Sequence, residues 1–219
     1  MSHQSSGKNN RGGSMDWMQT IINTDEMRIL LDEKIGAGSI KWLSPLESAN
    51  YQEYQLNENP IAQEFGFNND MFTSWWRFSR QPQWDAIGKS ENGTIILIEA
   101  KAHIKECESE CHAGYDSYPL ILNAFKKTHA NLSATIPFNE NTWMNKYYQT
   151  GNRFLFWDNL KPIKDVLLVF LIFINVPRED FRTDAQTWNN HMNSMITSML
   201  GYGASELPSG IRIINYLIN

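Results

Sequence analysis

Residues 84–103 read WDAIGKSENGTIILIEAKAH, and this stretch predicts two short strands joined by a tight turn. Its second half is rich in β-branched residues, as is typical of a buried strand. The connection ENG at 91–93 suits a three-residue hairpin loop with Gly93 in the left-handed conformation. Such a loop pairs residue 90 with residue 94, so the same register places Asp85 opposite Glu99.

The second strand carries ionisable groups on one face only. Alternate residues of a strand point to the same side, so Glu99, Lys101 and His103 project together. Directly paired residues of a hairpin have Cβ atoms about 4.5–5.5 Å apart, so the carboxylates of Asp85 and Glu99 should converge beside the Lys101 ammonium. Two carboxylates this close repel each other, and a divalent cation removes the repulsion. Mg²⁺ suits the position because it takes one or two carboxylates and fills its other positions with water and phosphate oxygens.

Asp85 followed by Glu99-Ala100-Lys101 after a β-turn resembles the PD-(D/E)XK nuclease superfamily. The resemblance implies a restriction endonuclease-like core, in which a helix, three strands, a helix and a further strand follow one another. It covers the chain from about Pro45 to Val176, and residues 184–217 form an extension. It also implies that Asp85 and Glu99 hold Mg²⁺ or Mn²⁺ and that Lys101 is catalytic. Trp84 stands where the motif has Pro, which is not a metal ligand.

A longer set of residues is more similar to uncharacterised bacterial proteins of this fold. It consists of WDAIG at 84–88, EAKAH at 99–103 and YYQTGNR at 147–153. The wider family often has a further Glu on the first core helix, which completes the metal site. Glu47, Glu53 and Glu64 all compete for that position. We expect Glu53, within the predicted helical stretch Tyr51–Leu56, to be the catalytic residue there.

Candidate substrate-binding residues follow further along the chain. Gln149, Asn152 and Arg153 are spaced i, i+3 and i+4, so they share one face of a predicted helix. They could approach the metal site or a substrate phosphate, and a buried network that fixes the helix to the sheet has equal weight. His103 is expected to line the phosphate site beside Lys101.

Two clusters combine basic and aromatic residues. The first precedes Asp85 and suits single-stranded nucleic acid, whose bases stack on aromatic rings, although half-buried strand residues explain it as well. Its members are Trp75, Trp76, Arg77, Phe78 and Arg80. The second cluster could contact a nucleic-acid backbone or simply be a solvated helix face. Its members are Lys126, Lys127 and His129.

A zinc-containing structural protein is a separate hypothesis. His103, Cys107 and Cys111 would share one face of a helix, with His112 adjacent. The spacing matches no usual zinc module. We therefore expect two free thiols, which indicates a reducing cytoplasm, because a disulfide between cysteines four residues apart would constrain little of the chain.

The rest of the chain predicts an α/β domain with a central mixed β-sheet of about five strands flanked by helices. Residues 166–176 are apolar at almost every position, so that strand should be covered on both faces. The predicted helices are at 16–31, 45–56, 118–132, 141–159 and 184–200, and the predicted strands are at 75–78, 84–88, 94–102, 166–176 and 210–217.

Composition narrows the class of protein. With 219 residues, of which 42% are hydrophobic, the chain fits one globular domain at 15–219, and residues 1–14 read as a disordered tail or expression linker. The longest apolar run, at 166–174, is too short to span a membrane, so no membrane partner is expected. The net charge of −5 excludes an electropositive clamp for nucleic acid.

Together these observations predict a metal-dependent nuclease that hydrolyses phosphodiester bonds, with DNA as the expected partner. Because the net charge is negative, the phosphates of the nucleic acid must then be bound by a local patch of the surface or by Mg²⁺ or Mn²⁺. A homodimer would suit an enzyme that cuts both strands. The alternative is a catalytically inactive module of the same fold that binds nucleic acid or protein.

Overall fold

The computed structural model describes residues 12–76, 80–180 and 182–218, and its centre is a five-stranded mixed sheet. The strands lie side by side in chain order. The first three form an antiparallel meander, and the last two run parallel to the third. This confirms the predicted α/β class and five-stranded mixed sheet. The strands are β1 (Ile40–Ser44), β2 (Ala86–Ser90), β3 (Ile95–Lys101), β4 (Val166–Ile174) and β5 (Ile211–Leu217).

Helices cover both faces of the sheet. Along the described residues they are α1 (Ser14–Ile22), α2 (Asp25–Ile35), α3 (Ile61–Phe65), α4 (Asn69–Thr73), α5 (Tyr118–Asn131), α6 (Glu140–Asn145), α7 (Tyr148–Leu160) and α8 (Ala185–Leu200). Apolar residues of α1 and α2 pack on one face, and those of α5 to α8 pack on the other. β4 is buried at every position, as predicted for a strand covered on both sides.

The β2–β3 hairpin has the predicted register. Ala86 lies opposite Ile98, and Lys89 lies opposite Ile95. Gly93 has φ 86°, a left-handed conformation that favours glycine. Successive residues of β3 alternate between the two cores, which puts Glu99 and Lys101 on the face covered by α5 to α8.

Two predictions about the flanking elements are wrong. The strand that pairs with β2 is β1, not residues 75–78. Trp75 and Trp76 instead follow α4 without forming a strand, and residues 77–79 lie outside the described residues. A Cβ at Gly88 would lie 2.6 Å from Ile40 Cγ2 and 3.1 Å from the Trp42 ring, so the absence of a side chain at Gly88 makes room for these two side chains of β1.

The predicted helix at 45–56 is also absent from the described structure, which has only a short 3-10 turn at Glu47–Ala49. Asn50 and Tyr51 have positive φ angles of 52° and 56°, and such angles end a right-handed helix. Beyond them Tyr54 forms an isolated antiparallel bridge with Trp84, so this part of the chain is extended.

Three smaller differences complete the fold. The predicted helix at 141–159 is two helices, α6 and α7, separated at 146–147. Of the predicted tail, residues 1–11 lie outside the described residues, and α1 begins at Ser14. In the described part of the chain, no helix has the length and apolar character that crossing a membrane requires.

Candidate active site

Glu99 forms the centre of a buried ionic cluster. Its side chain is 1% exposed, and each carboxylate oxygen contacts a different cation. Oε1 lies 2.6 Å from Lys101 Nζ, and Oε2 lies 2.5 Å from Arg153 Nε. We call Glu99, Lys101 and Arg153 the buried triad. Both neighbours favour the ionised carboxylate, so the triad is satisfied within the protein itself.

Asp85 lies at the entrance to β2, next to the buried triad. Its Oδ2 accepts a hydrogen bond of 2.6 Å from the backbone N–H of Ala100, which fixes the side chain against β3. This contact agrees with the register that predicted Asp85 beside Glu99. The carboxylate is partly buried and faces the same cavity as Glu53.

Glu53 reaches the site from an extended segment rather than from a helix. The neighbouring Tyr54 accepts a hydrogen bond at its carbonyl from the Trp84 N–H, at 3.1 Å, and this bridge holds the segment beside the hairpin. Glu64, by contrast, pairs with two lysines on the surface, and Glu47 is exposed on the 3-10 turn. Of the three acids that competed for this position, the structure brings only Glu53 to the site.

The predicted polar face of the helix meets the site. Lys101 Nζ donates to Gln149 Oε1 at 3.0 Å, and Arg153 reaches Glu99 from the next turn. Two features place α7 here. Ser109 Oγ accepts from the Gln149 N–H at 2.8 Å at the start of the helix. A Cβ at Gly151 would lie 3.0 Å from the Phe125 ring, so the glycine permits close packing of α7 on α5.

Arg153 is held on several sides yet keeps one free nitrogen. Nη2 donates to the Gln83 carbonyl at 2.8 Å, and the guanidinium lies 4.4 Å from the centre of the Trp84 ring. Nη1 is buried and has no hydrogen-bond partner among the described residues, and the same holds for Asn152 Oδ1. Both residues line the cavity that Asp85 and Glu53 face. Buried polar atoms without a partner are uncommon, and here they point to a ligand.

The cavity measures about 440 Å³, within the range of small-molecule sites. Sequence reasoning gave no role to several of its residues, including Gln81, which is 3% exposed and has an unpartnered Oε1. The position of Gln81 in the segment QPQ directly before Trp84 was the available signal. The cavity is lined by Glu53, Trp76, Arg80, Gln81, Pro82, Gln83, Asp85, Tyr148, Gln149, Asn152 and Arg153.

The three acids at the site differ in the direction of their pKa shifts. Burial, followed by repulsion from Glu99, raises the pKa of Glu53 to about 7. The same two causes raise the pKa of Asp85 to about 8, against the attraction of Lys101. Burial also acts to raise the pKa of Glu99, but Arg153 and Lys101 together lower it. Near neutral pH, Glu99 is therefore ionised and Asp85 is largely protonated.

The donor chemistry fits Mg²⁺ or Mn²⁺, although the ligands are not assembled around a point. Among the described residues, no three His, Cys, Asp or Glu side chains are placed to hold one ion together. Mg²⁺ does not require three, because one or two carboxylates with water and phosphate oxygens suffice. Asp85 and Glu53 supply two carboxylates facing the cavity, and a cation there would replace the protons they retain.

The zinc hypothesis has no support in the geometry. Cys107 and Cys111 are free thiols, as predicted. Burial raises the pKa of the Cys107 thiol to about 12, so this thiol is protonated in the metal-free protein. Neither cysteine belongs to a group of three or more metal-ligating side chains within the described part of the chain.

His103 lies apart from the cavity. β3 ends at Lys101, and His103 precedes a short 3-10 turn whose Glu106 lies 3.6 Å from its Nε2. His103 would point to the same side as Lys101 only if β3 continued to residue 103. Because the strand ends at Lys101, the two side chains are not aligned. Glu106, which had no predicted role, accepts a hydrogen bond of 2.7 Å from the Ala102 N–H.

No family model, curated protein or solved structure matches the chain.

Proposed function

We propose that the protein is a Mg²⁺- or Mn²⁺-dependent nuclease that hydrolyses phosphodiester bonds in nucleic acid, with DNA as the expected substrate. One observation carries the proposal. Asp85 and Glu53 face an open cavity directly beside the buried triad, so carboxylates, an ammonium and a guanidinium meet at one end of the β2–β3 hairpin. Phosphoryl chemistry uses this combination, because the acids hold metal and the cations stabilise phosphate charge.

We further propose that the core is restriction endonuclease-like. The order of elements supports this in part: α2, β1, β2, β3, the helices α5 to α7 and the parallel strand β4 occur in that order, with the short helices α3 and α4 inserted between β1 and β2. The paired acids and the lysine occupy the end of the hairpin, as the resemblance implies.

Asp85 and Glu53 would hold the metal from the cavity side, and Glu99, which does not line the cavity, would join them only after a rearrangement. Bound there, Mg²⁺ or Mn²⁺ would act as a Lewis acid and lower the pKa of a coordinated water. Because Lys101 and Arg153 occupy both oxygens of Glu99, one of these contacts must loosen when Glu99 becomes a ligand. Arg153 is suited to this, since its free Nη1 is already available to a phosphate oxygen.

The remaining roles follow from the contacts of each side chain. Lys101 is held between Glu99 and Gln149, so its ammonium can orient the attacking water or stabilise charge on the phosphate. Burial opposes the charge on Lys101, but Glu99 and Asp85 outweigh burial and raise the pKa of Lys101. Lys101 therefore acts as a cation rather than as a base. Asn152 offers a carbonyl oxygen without a partner to a substrate donor group.

The decisive experiment compares metal binding with cleavage. Calorimetry with Mg²⁺ and with Mn²⁺ should detect binding to the wild type and not to Asp85→Asn. Cleavage of DNA and RNA, single- and double-stranded, should depend on metal and fall at least about 100-fold in Lys101→Met, in line with the loss of a charge-stabilising group. Lys41→Met is the matched control, because Lys41 pairs with Glu64 on the surface and lines neither this cavity nor its neighbour. The nuclease proposal fails if no substrate is cut with either metal.

One observation favours a second candidate, a binding module without activity. The buried triad neutralises Glu99 with two protein cations, and this arrangement needs no metal. Such a module would bind nucleic acid through the cavity equally well in EDTA and in Mg²⁺, and Asp85→Asn would leave binding unchanged. A nuclease, in contrast, should bind its substrate more tightly when metal is present.

A further inference from the structure

A second cavity lies beside the first. It measures about 530 Å³ and is formed by α5, α7 and the residues that follow α4. Trp76 lines both cavities, so they share a wall. The lining combines an aromatic ring, amide groups and one ammonium, including Trp75, Asn123, Lys127, Asn131 and Asp158. The structure thus brings together Trp75 and Lys127, members of two clusters that are far apart in the sequence.

Trp75 is held in a fixed position at this cavity. Its Nε1 donates to the Met71 carbonyl at 3.1 Å. Its ring packs at steep angles against two phenylalanines, with ring centres 5.6 Å from Phe72 and 4.9 Å from Phe156. The indole is nevertheless only partly buried. A rigid, partly exposed indole is a ready surface on which a nucleobase can stack.

Polar groups on α5 face the same cavity. Asn123, Lys127 and Asn131 are spaced i, i+4 and i+8, so they form one row along the helix. Lys127 is exposed, forms no ion pair among the described residues and is the cavity's one cationic lining residue among them. Behind this row, Thr128 Oγ1 is buried without a hydrogen-bond partner in the described part of the chain.

The opposite wall offers an acceptor. Asp158 is 5% exposed, accepts from Asn131 Nδ2 at 2.7 Å and lies 2.9 Å from Lys161 Nζ. The carboxylate would repel a phosphate but can accept a hydrogen bond from an N–H group on the edge of a base, such as thymine N3–H. The cavity therefore offers a phosphate site at Lys127 and, on other walls, Trp75 for the ring of a base and Asp158 for its edge.

We propose that this second cavity binds one nucleotide of a single-stranded nucleic acid, with its base stacked on Trp75 and its phosphate on Lys127. The inference rests on the proposed function, because the strand would pass Trp76 and enter the cavity of Asp85 and Glu53. Stacking on Trp75 requires a base with a free face, which a continuous duplex does not present. The substrate class is therefore single-stranded nucleic acid, or the unpaired part of a partly paired one.

The test measures binding without cleavage. The full chain is titrated in EDTA into a fluorescent 12-residue oligodeoxythymidine and into a blunt duplex of the same length, and anisotropy is recorded. We expect the single strand to bind at least about 10-fold more tightly. Trp75→Leu should weaken its binding about 10-fold, the scale of one lost stacking contact. Lys127→Ala should weaken it and make the slope of log affinity against log salt shallower by about 0.7.

A matched control lies next in the chain. Lys126 is also exposed on α5, but its Nζ lies 5.9 Å from the centre of the Phe138 ring and it does not line this cavity. Lys126→Ala should leave affinity unchanged. A second measurement does not depend on whether variants fold: an oligonucleotide with one 5-iododeoxyuridine, irradiated on the wild type, should cross-link to the peptide that contains Trp75.

Three results would overturn the inference: equal affinity for duplex and single strand, equal effects of Lys126→Ala and Lys127→Ala, or cross-links that map elsewhere. The nuclease proposal and this inference can fail independently of each other. Binding that needs Trp75 and Lys127, without metal-dependent cleavage, supports the inference and defeats the nuclease. Metal-dependent cleavage of duplex DNA that neither substitution alters supports the nuclease and defeats the inference.

Discussion

Two glutamates in this protein each contact two cations, and their surroundings differ. Glu64, on α3, lies 2.8 Å from Lys41 Nζ and 2.9 Å from Lys89 Nζ, with side chains between 24% and 65% exposed. The buried triad has the same arrangement of one acid and two cations, but its side chains are between 1% and 9% exposed. We call the first group the surface triad. The contact distances are similar, so solvent is the main difference between them.

Solvent changes what each triad can do. In the surface triad, hydrogen bonds from Lys41 and Lys89 lower the pKa of Glu64. Beside the buried triad, burial and then repulsion from Glu99 raise the pKa of both Glu53 and Asp85. A buried charge therefore shifts the pKa values of neighbouring groups, whereas the effect of an exposed charge is screened beyond its direct partners.

The largest effect should come from removing one cation of the buried triad. Arg153→Met leaves the buried Glu99 carboxylate with one of its two cations, Lys101, and it also removes the contact with the Trp84 ring. We expect the free energy of unfolding to fall by about 3–5 kcal/mol. Urea unfolding at pH 8 measures this loss. A loss under about 1 kcal/mol would mean that water reaches Glu99 and that the two triads are equivalent.

Replacing the whole buried triad should harm stability less than removing one member. The triple variant Glu99→Leu, Lys101→Leu, Arg153→Met exchanges three charges for apolar groups, two of them on β3 opposite Phe170 and Ile172 of the apolar core. Its stability should lie within about 2 kcal/mol of the wild type, because no unpaired charge remains. The same urea titration measures this stability. Any metal-dependent cleavage that the wild type shows should be lost entirely in the triple variant. A triple variant less stable than Arg153→Met would show that the triad stabilises the fold.

The sequence predicted the buried triad only in part. The turn at 91–93 and the strict alternation along β3 are local, so Glu99, Lys101 and their register with Asp85 could be predicted. The face of α7 that bears Gln149 and Arg153 could also be predicted, since it depends on helical periodicity alone. What α7 would contact was left open between substrate and a buried network, and in the structure Arg153 pairs with Glu99.

Other features depend on contacts between distant parts of the chain. β2 pairs with β1, where the Ile40 side chain packs across Gly88, and nothing in the local pattern at 40–44 indicates this pairing. Glu53 reaches the site on an extended segment because Tyr54 bridges to Trp84, whereas local periodicity favoured a helix. Such choices are made by tertiary packing, which a single sequence does not display.

The raised pKa values predict how stability depends on pH when metal is absent. The folded protein binds the Glu53 proton with a pKa of about 7 against an ordinary value of 4.5, and Asp85 behaves similarly. Between these values the folded state holds more protons than the unfolded state, so stability falls as pH rises from about 4 and levels off above about 7 to 8. We therefore compare the free energies of unfolding of Glu53→Gln and the wild type in EDTA. The difference between them should shift in favour of Glu53→Gln by on the order of 1 kcal/mol between pH 6.5 and pH 8.5.

The control for this effect is an acid outside the site. Glu47→Gln, on the exposed 3-10 turn, should shift stability equally at both pH values. Thermal unfolding of the three proteins across this interval measures the difference. Parallel curves for Glu53→Gln and wild type would show that neither burial nor Glu99 raises the pKa of Glu53, and the contrast between the two triads would then be limited to their own members.

The smallest effect should come from the surface triad. Lys41→Met removes a cation from Glu64 as Arg153→Met removes one from Glu99, but water and Lys89 remain to solvate the acid. We expect a loss of about 0.5 kcal/mol or less, which 0.5 M salt should abolish because exposed charges are screened. Urea titrations at low and high salt measure it. A loss near that of Arg153→Met, or one that salt leaves unchanged, would show that the number of partners, and not burial, determines how much a cation stabilises its glutamate.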